Sequence, residues 1–212
     1  MQLCRDRRWP YVRLDGSLAV KKRMRLVTDF NDPSQDQFIF LLSSKAGGCG
    51  LNLVGANRLV LFDPDWNPAT DKQAAARCWR DGQKKNCYTY RFLATGSIEE
   101  KVYQRQISKE GLAGLVDGKS GKAKAQSTST AALRALFKYN ENSCSTTYDA
   151  CKPAPRDEPW KQVGEPAEEQ LGEWAHHMGD DLSKLPDEMM KEAACDDVSF
   201  VFSLDVVGKD QS

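Results

Sequence analysis

Phe38-Ile39-Phe40-Leu41-Leu42 is wholly apolar and gives way at once to Ser43-Ser44-Lys45-Ala46-Gly47-Gly48-Cys49-Gly50. A strand with no polar face is expected to be buried on both sides, the condition of a parallel sheet covered by helices. The glycines after it let backbone approach a ligand closely, or simply turn the chain. A parallel sheet needs a crossover between its strands, so the flanking sequence should alternate strand with helix.

It does. Tyr11-Val12-Arg13-Leu14 alternates and meets an Asp15-Gly16 turn, the pattern of a strand. Residues 18–30 place Val20, Met24, Val27 and Phe30 at helical spacing, with Lys21, Lys22, Arg23 and Arg25 between them, and Asn31-Asp32-Pro33 ends the helix. Arg58-Leu59-Val60-Leu61-Phe62 reads as a second buried strand, running into Asp63-Pro64-Asp65. Asn67-Pro68 has the form of a helix start, Asn as N-cap and Pro at the first position. That helix is expected to run to about Asp81 and stop at Gly82. Tyr88 begins another alternating strand, and Ser97-Ile98-Glu99-Glu100 matches a capping box opening a helix towards Gly111. The fold class is therefore α/β, a parallel sheet flanked by helices. Such sheets bind ligands beyond the carboxyl ends of their strands, where residues 43–50 and the Asp63-to-Asn67 turn fall.

Two segments have the makings of chemistry. A run of turning amides in residues 43–50, with Ser43, Ser44 and Lys45 beside it, suits phosphate oxygens, and equally suits a tight structural turn. On the helix expected from Pro68, Gln73, Arg77 and Arg80 fall at i, i+4 and i+7, one face otherwise lined by alanine. Planar guanidinium forks match phosphate oxygens, and arginines offered across a cleft stabilise the charge of phosphoryl transfer. With Lys72, Lys84 and Lys85 close by, a solvated basic face has the same appearance. No G-x-x-x-x-G-K-[ST] occurs anywhere, so the chain carries no phosphate-cradling loop of its own.

The formal net charge of zero hides a split: residues 1–125 carry +9 and residues 126–212 carry −9. A basic half suits a polyanion, and the acidic half does not. No apolar run approaches the ~20 residues of a membrane-spanning helix, and no basic-then-apolar leader follows Met1. Seven cysteines without framework spacing fit a reducing compartment, cytosol or nucleus. The expected organisation is a lobe over 1–118, a Gly/Ser/Lys/Ala-rich linker over 119–130 and an acidic tail over 131–212, partly disordered and mostly helical or irregular. Within the tail, residues 131–139 read as a short helix, residues 143–172 as mostly loop, and Val198-Ser199-Phe200-Val201-Phe202 as a late strand.

Taken together these residues resemble the C-terminal RecA-like lobe of Swi/Snf-type motors in helicase superfamily two. Arg13-Leu14-Asp15-Gly16 with Arg25 and Phe30 is similar to the family's early strand-and-helix motif, residues 43–53 to its motif V, and residues 73–83 to its motif VI. Residues 45–57 and Trp79-Arg80-Asp81-Gly82-Gln83-Lys84-Lys85 look like the Rad-fifty-four branch, the recombination-repair translocases, and residues 95–109 continue the likeness.

The resemblance implies that ATP and Mg2+ bind between two lobes and are held mainly by an N-terminal lobe this sequence does not contain. Arg77 and Arg80 would be catalytic, with Gly50 and Gln73 completing the ATP-facing surface. Ser43, Ser44, Lys45, Gly47 and Gly48 would hold the backbone of double-stranded DNA. The implied partners are duplex DNA and a RecA-like recombinase filament, with no membrane, and the implied location is the nucleus. The isolated chain would be inactive as an ATPase. A catalytically silent DNA- or protein-binding fragment, or part of a related chromatin-remodelling ATPase, are the rival readings. The family also has a Cys/His zinc cluster in its tail. Here Cys144, Cys151, His176 and His177 are the nearby candidates, without a C-x-x-C pair, and no metal is expected. His176 beside Trp174 is expected to pack in a helical cap.

Overall fold

The computed structural model describes residues 1–47, 50–116, 130–151, 161–163, 171, 174–193 and 197–207. The chain divides into two compact units, Met1–Phe92 and Leu93–Ser212. The expected linker, 119–130, lies outside the described residues except for Thr130.

The first unit opens with helix α1 (Gln2–Asp6) and strand β1 (Tyr11–Leu14), followed by helix α2 (Val20–Asn31) and strand β2 (Ile39–Leu42). β1 and β2 pair in parallel, Tyr11 opposite Ile39 through Leu14 opposite Leu42, with α2 as their crossover. α2 stops where the spacing predicts, because Pro33 pushes Asp32 into extended backbone. Its inward residues Val27 and Phe30 join Val12, Leu14, Ala46, Leu51, Leu53 and Cys78 in the core. Leu14 is only 1% exposed, a burial that contributes roughly 1.5–3 kcal/mol. Phe30 meets Phe40 edge to face, centroids 5.0 Å apart.

A second parallel pair follows: strand β3 (Arg58–Leu61) and strand β4 (Tyr88–Arg91), Arg58 opposite Tyr88, joined across helix α3 (Pro68–Ala75). The α/β class with parallel strands is as the sequence predicts. Complete burial of the strands is not found. β2 is half-buried along its length, and in β3 only Leu61 is buried. Each described sheet of this unit has two strands, so each strand has a free edge and neither pair is sandwiched as a central strand would be.

The second unit begins with helix α4 (Ile98–Val116), then α5 (Thr130–Leu136) and α6 (Thr146–Cys151). Strand β5 (Lys161–Val163) pairs in parallel with β8 (Asp205–Val207), and β6 (Ala175–Met178) pairs antiparallel with β7 (Phe200–Ser203). Helix α7 (Glu188–Ala193) lies between β6 and β7 in sequence. β7 is the late strand the alternation predicts, and its partner corrects one expectation: His176 lies on a strand, not in a helical cap. Tyr148, His176, Phe200 and Phe202 form an aromatic cluster around that pair.

The predicted capping box is also rearranged. Ser97 Oγ accepts from the Glu99 N–H and donates to the Ala94 carbonyl. The Glu100 carboxylate reaches the Gly96 N–H at 2.7 Å and then leaves the helix to serve another. It accepts from the Ser145 hydroxyl, the Thr146 N–H and hydroxyl, and the Thr147 N–H. Glu100, 3% exposed, thus caps the start of α6. Burial would push its carboxyl upward, but the hydrogen bonds from Gly96, Thr146, Thr147 and Ser145 outweigh that and hold it below the usual range.

Candidate nucleotide and DNA-facing site

The loop after β2 continues the strand pairing by one bond, Ser43 N–H to the Leu14 carbonyl at 3.1 Å, and then tightens into a 3-10 turn over Ser44–Gly47. Ala46 drops into the core, as do Leu51 and Leu53 beyond the loop, while Ser43, Ser44 and Gly50 stay exposed. Ser43 and Ser44 thus hold their hydroxyls at the surface ahead of the buried Ala46. Lys45 and Gly47 are placed by the backbone of the 3-10 turn, and Gly48 with Cys49 lies outside the described residues. Gly50 has φ +60, a conformation a Cβ disfavours.

A residue that reads in the sequence as surface holds this loop. Arg23 on α2 donates from Nε to the Leu18 carbonyl at 2.6 Å, and from its two Nη atoms to the Ala46 and Gly16 carbonyls, both at 3.0 Å. Asn31, at the end of α2, donates to the Asn52 carbonyl and accepts from the Gly55 N–H at 2.9 Å. Gly55 sits so close to α2 that a Cβ would meet the Phe30 carbonyl oxygen at 2.9 Å. No periodicity announces such clamps; only the Asn31-Asp32-Pro33 stop hints that Asn31 is placed to turn back.

The Asn67 side chain caps α3 by accepting from the Ala69 N–H at 3.2 Å, as its position before Pro68 predicts. The helix ends at Ala75, however, and not near Asp81. The Arg77 carbonyl accepts from the Leu53 N–H at 2.9 Å. The Gln83 amide donates to the Cys78 carbonyl at 3.1 Å and also reaches the Ala56 and Val54 carbonyls, 2.8 and 3.3 Å away. Carbonyls that would continue the helical ladder are drawn to a distant segment instead, so the chain tightens into turns after Ala75.

The predicted residues still converge. Gly50, Gln73, Ala76, Arg77, Trp79 and Arg80 line one open cleft of about 450 Å³. Arg80 is exposed and points Nη1 at the Gly50 carbonyl, 3.5 Å away, at the outer limit of a hydrogen bond. Arg77 is 8% exposed, so its charge is set within the protein at the cleft's wall. Two guanidiniums, one recessed and one exposed, line the cleft beside a glycine with open space around it, and planar guanidinium forks match the oxygens of a polyanion.

Two residues escaped the sequence reading. Asp71, buried on α3, accepts from the Asp65 N–H at 3.2 Å and faces Arg91 of β4 at 3.8 Å, tying the turn after β3 to the neighbouring strand. Trp79 adds an indole to the cleft.

Of the metal candidates, His176, His177 and Cys144 form no cluster among the described residues. His176 stacks on Phe200, while His177 Nε2 lies 3.1 Å from Ser203 Oγ on the opposite face of β6. Burial lowers His177 from its usual range, with Asp181 opposing. Cys144 is exposed, and the side chain of Cys151 lies outside the described residues. Among the described residues no three His, Cys, Asp or Glu side chains are placed to hold an ion.

Parallel strand pairs with crossover helices, an anchored loop and an arginine-lined cleft are what a RecA-like helicase C-terminal lobe presents. Residues 1–82 match the helicase conserved C-terminal domain. Over 98% of its length the chain is 47% identical to the DNA repair and recombination protein RAD54 of Oryza sativa subsp. japonica, covering 26% of that protein. It is 50% identical over 95% of its length to the DNA repair and recombination protein RAD54-like of Gallus gallus, covering 28% of it. The chain thus spans about a quarter of the length of the curated relatives it matches. Among solved structures it is similar to the C-terminal part of the Fun30 ATPase domain, 41% identical over 50% of this chain and 34% of that one, with a TM-score of 0.47. The chain belongs to the RAD54 branch of the Swi/Snf-type superfamily-two proteins and carries the helicase conserved C-terminal domain at residues 1–82.

Proposed function

We propose that this chain is the C-terminal half of an ATP-dependent double-stranded-DNA translocase acting in homologous recombination and double-strand-break repair in the nucleus. The observation that carries the reading is the convergence of Gln73, Arg77 and Arg80 with Gly50 on one cleft. In the proposed cycle, ATP and Mg2+ sit mainly on a separate lobe bearing a P-loop. Arg77 and Arg80 meet the phosphates as that lobe closes, and charge developing in phosphoryl transfer is stabilised by their guanidiniums. The loop residues Ser43, Ser44, Lys45, Gly47 and Gly48 grip the DNA backbone. Phosphate contacts carry position and not sequence, so stepping is indifferent to bases. The proposed protein partner is a RecA-like recombinase filament.

Among the described residues no helix is long and apolar enough to cross a membrane. A second reading, chromatin remodelling, draws on a relative 47% identical over 98% of this chain, Protein CHROMATIN REMODELING 25 of Arabidopsis thaliana. The sequence contains no P-loop, so phosphate release by the isolated chain is expected to be at background with and without duplex DNA. Robust turnover by this chain alone contradicts the division of labour proposed. Duplex binding should be sequence-indifferent and salt-dependent. Removing one phosphate contact, as in Lys45→Ala, should lower the salt slope by about 1.

A further inference from the structure

Trp79 stands between a recessed arginine and an exposed one, and its neighbour Cys78 is in the core. The turns after Ala75 send Arg77 and Cys78 inward and leave Trp79 and Arg80 outward. The indole is 43% exposed and lines the cleft, although the core beneath is already closed by Cys78 and Leu53. No described aromatic ring stacks on it. A site for phosphate alone needs cations and backbone amides and gains nothing from an indole in water. An aromatic wall beside a few convergent polar groups is the composition of a small-molecule site. Gly50 and Ala76, the smallest residues of the lining, keep the space next to the ring open.

We propose that Trp79 is a specificity-determining residue of this cleft, stacking on the base of a nucleotide whose phosphates face Arg77 and Arg80. The inference rests on the reading of the cleft as ATP-facing. A base offers a flat π-surface to the indole, and such stacking is tolerant of which base is present. Trp79 therefore selects nucleotides over inorganic polyphosphates without choosing strongly between purines.

The test uses the full chain, 15N-labelled, with the Trp79 indole N–H signal assigned by its loss in Trp79→Phe. Mg-ATP and Mg-tripolyphosphate are the probes. ATP is expected to shift the Trp79 signal, and tripolyphosphate at equal concentration to leave it in place. Trp79→Ala should weaken ATP binding about tenfold and leave tripolyphosphate binding unchanged, and Trp79→Phe should restore most of the loss. The inference is overturned if both probes shift the indole equally, if duplex DNA shifts it and ATP does not, or if Trp79→Ala weakens both probes alike. If Trp79→Ala binds ATP as wild type does while Arg80→Ala does not, this inference fails and the reading of the cleft survives. If wild type binds neither probe, this inference fails while the reading of ATP as held mainly by another lobe stands; if Arg77→Ala and Arg80→Ala bind ATP undiminished, the reading of the cleft fails with it.

Discussion

Arg23 holds Ala46: an Nη atom on α2 donates to the carbonyl of the loop that follows β2, at 3.0 Å. The same guanidinium takes the Gly16 and Leu18 carbonyls, so one side chain fixes the turn after β1 and the loop after β2 together. Arg23→Ala should lower the stability of the first unit by about 2 kcal/mol, the scale of charge-assisted hydrogen bonds, read as a shift in urea midpoint. Arg23→Lys should recover little, because one ammonium cannot span three carbonyls as the planar fork does. Amide exchange of Ala46 should accelerate in both variants.

Gly55 and Gly16 make a paired test of backbone approach. Gly55→Ala forces a Cβ to within 3.1 Å of the Phe30 carbonyl and two Asn31 atoms, and should cost about 1–3 kcal/mol. Gly16→Ala meets nothing within 4 Å and φ there is not in the left-handed region, so it should stay within about 0.5 kcal/mol of wild type. Chemical denaturation of the two variants side by side reads the difference.

Glu100 makes the second unit acid-sensitive. Its folded carboxyl is held below the ordinary 4.5. Its contribution is therefore complete above the unfolded value and is lost as pH falls through the folded one. Glu100→Gln keeps the shape but loses the charge and places an NH2 among donors. It should melt well below wild type at neutral pH, by an amount equivalent to about 2–3 kcal/mol, and the gap should close as pH is lowered past about 4. Thermal melts across that range check both the sign and the window.

Burial pushes the Cys78 thiol up to about 11, with nearby Cys87 adding to it. The thiolate is the reactive form, so Cys78 should resist alkylation in the native chain near pH 8 while exposed Cys144 is modified quickly. Mass spectrometry after timed iodoacetamide treatment distinguishes the two, and unfolding should equalise them.

The strand pairs, the crossover α2 and the Asn67 cap were legible because each rests on local rules: alternation, helical spacing, and an Asn-Pro start. The cleft was legible in membership but not in form. Gln73, Arg77 and Arg80 come together as the spacing suggests, yet Arg77 and Arg80 lie past the helix end. The competitors for the helical carbonyls are the Leu53 N–H and the Gln83 amide, and non-local hydrogen bonds leave no periodic trace. Arg23 was hidden for a related reason. In sequence it is one of four cations between the apolar positions of α2, and only tertiary folding separates the clamp from the solvated charges. Likewise Ser97 and Glu100 have capping-box spacing, but the other donors to Glu100 are Ser145 and the first residues of α6, 45 to 47 residues away.

The central claim is that Arg80, beside Gly50, acts on a nucleotide held by another lobe. Joining this chain to the remainder of its Oryza sativa relative, the part it does not cover, allows a direct measurement of DNA-stimulated phosphate release. The account predicts turnover that requires duplex DNA. It predicts a loss of at least about 100-fold in Arg80→Ala, with duplex binding nearly unchanged. Unchanged turnover in Arg80→Ala, with the joined protein folded and binding DNA, would contradict it.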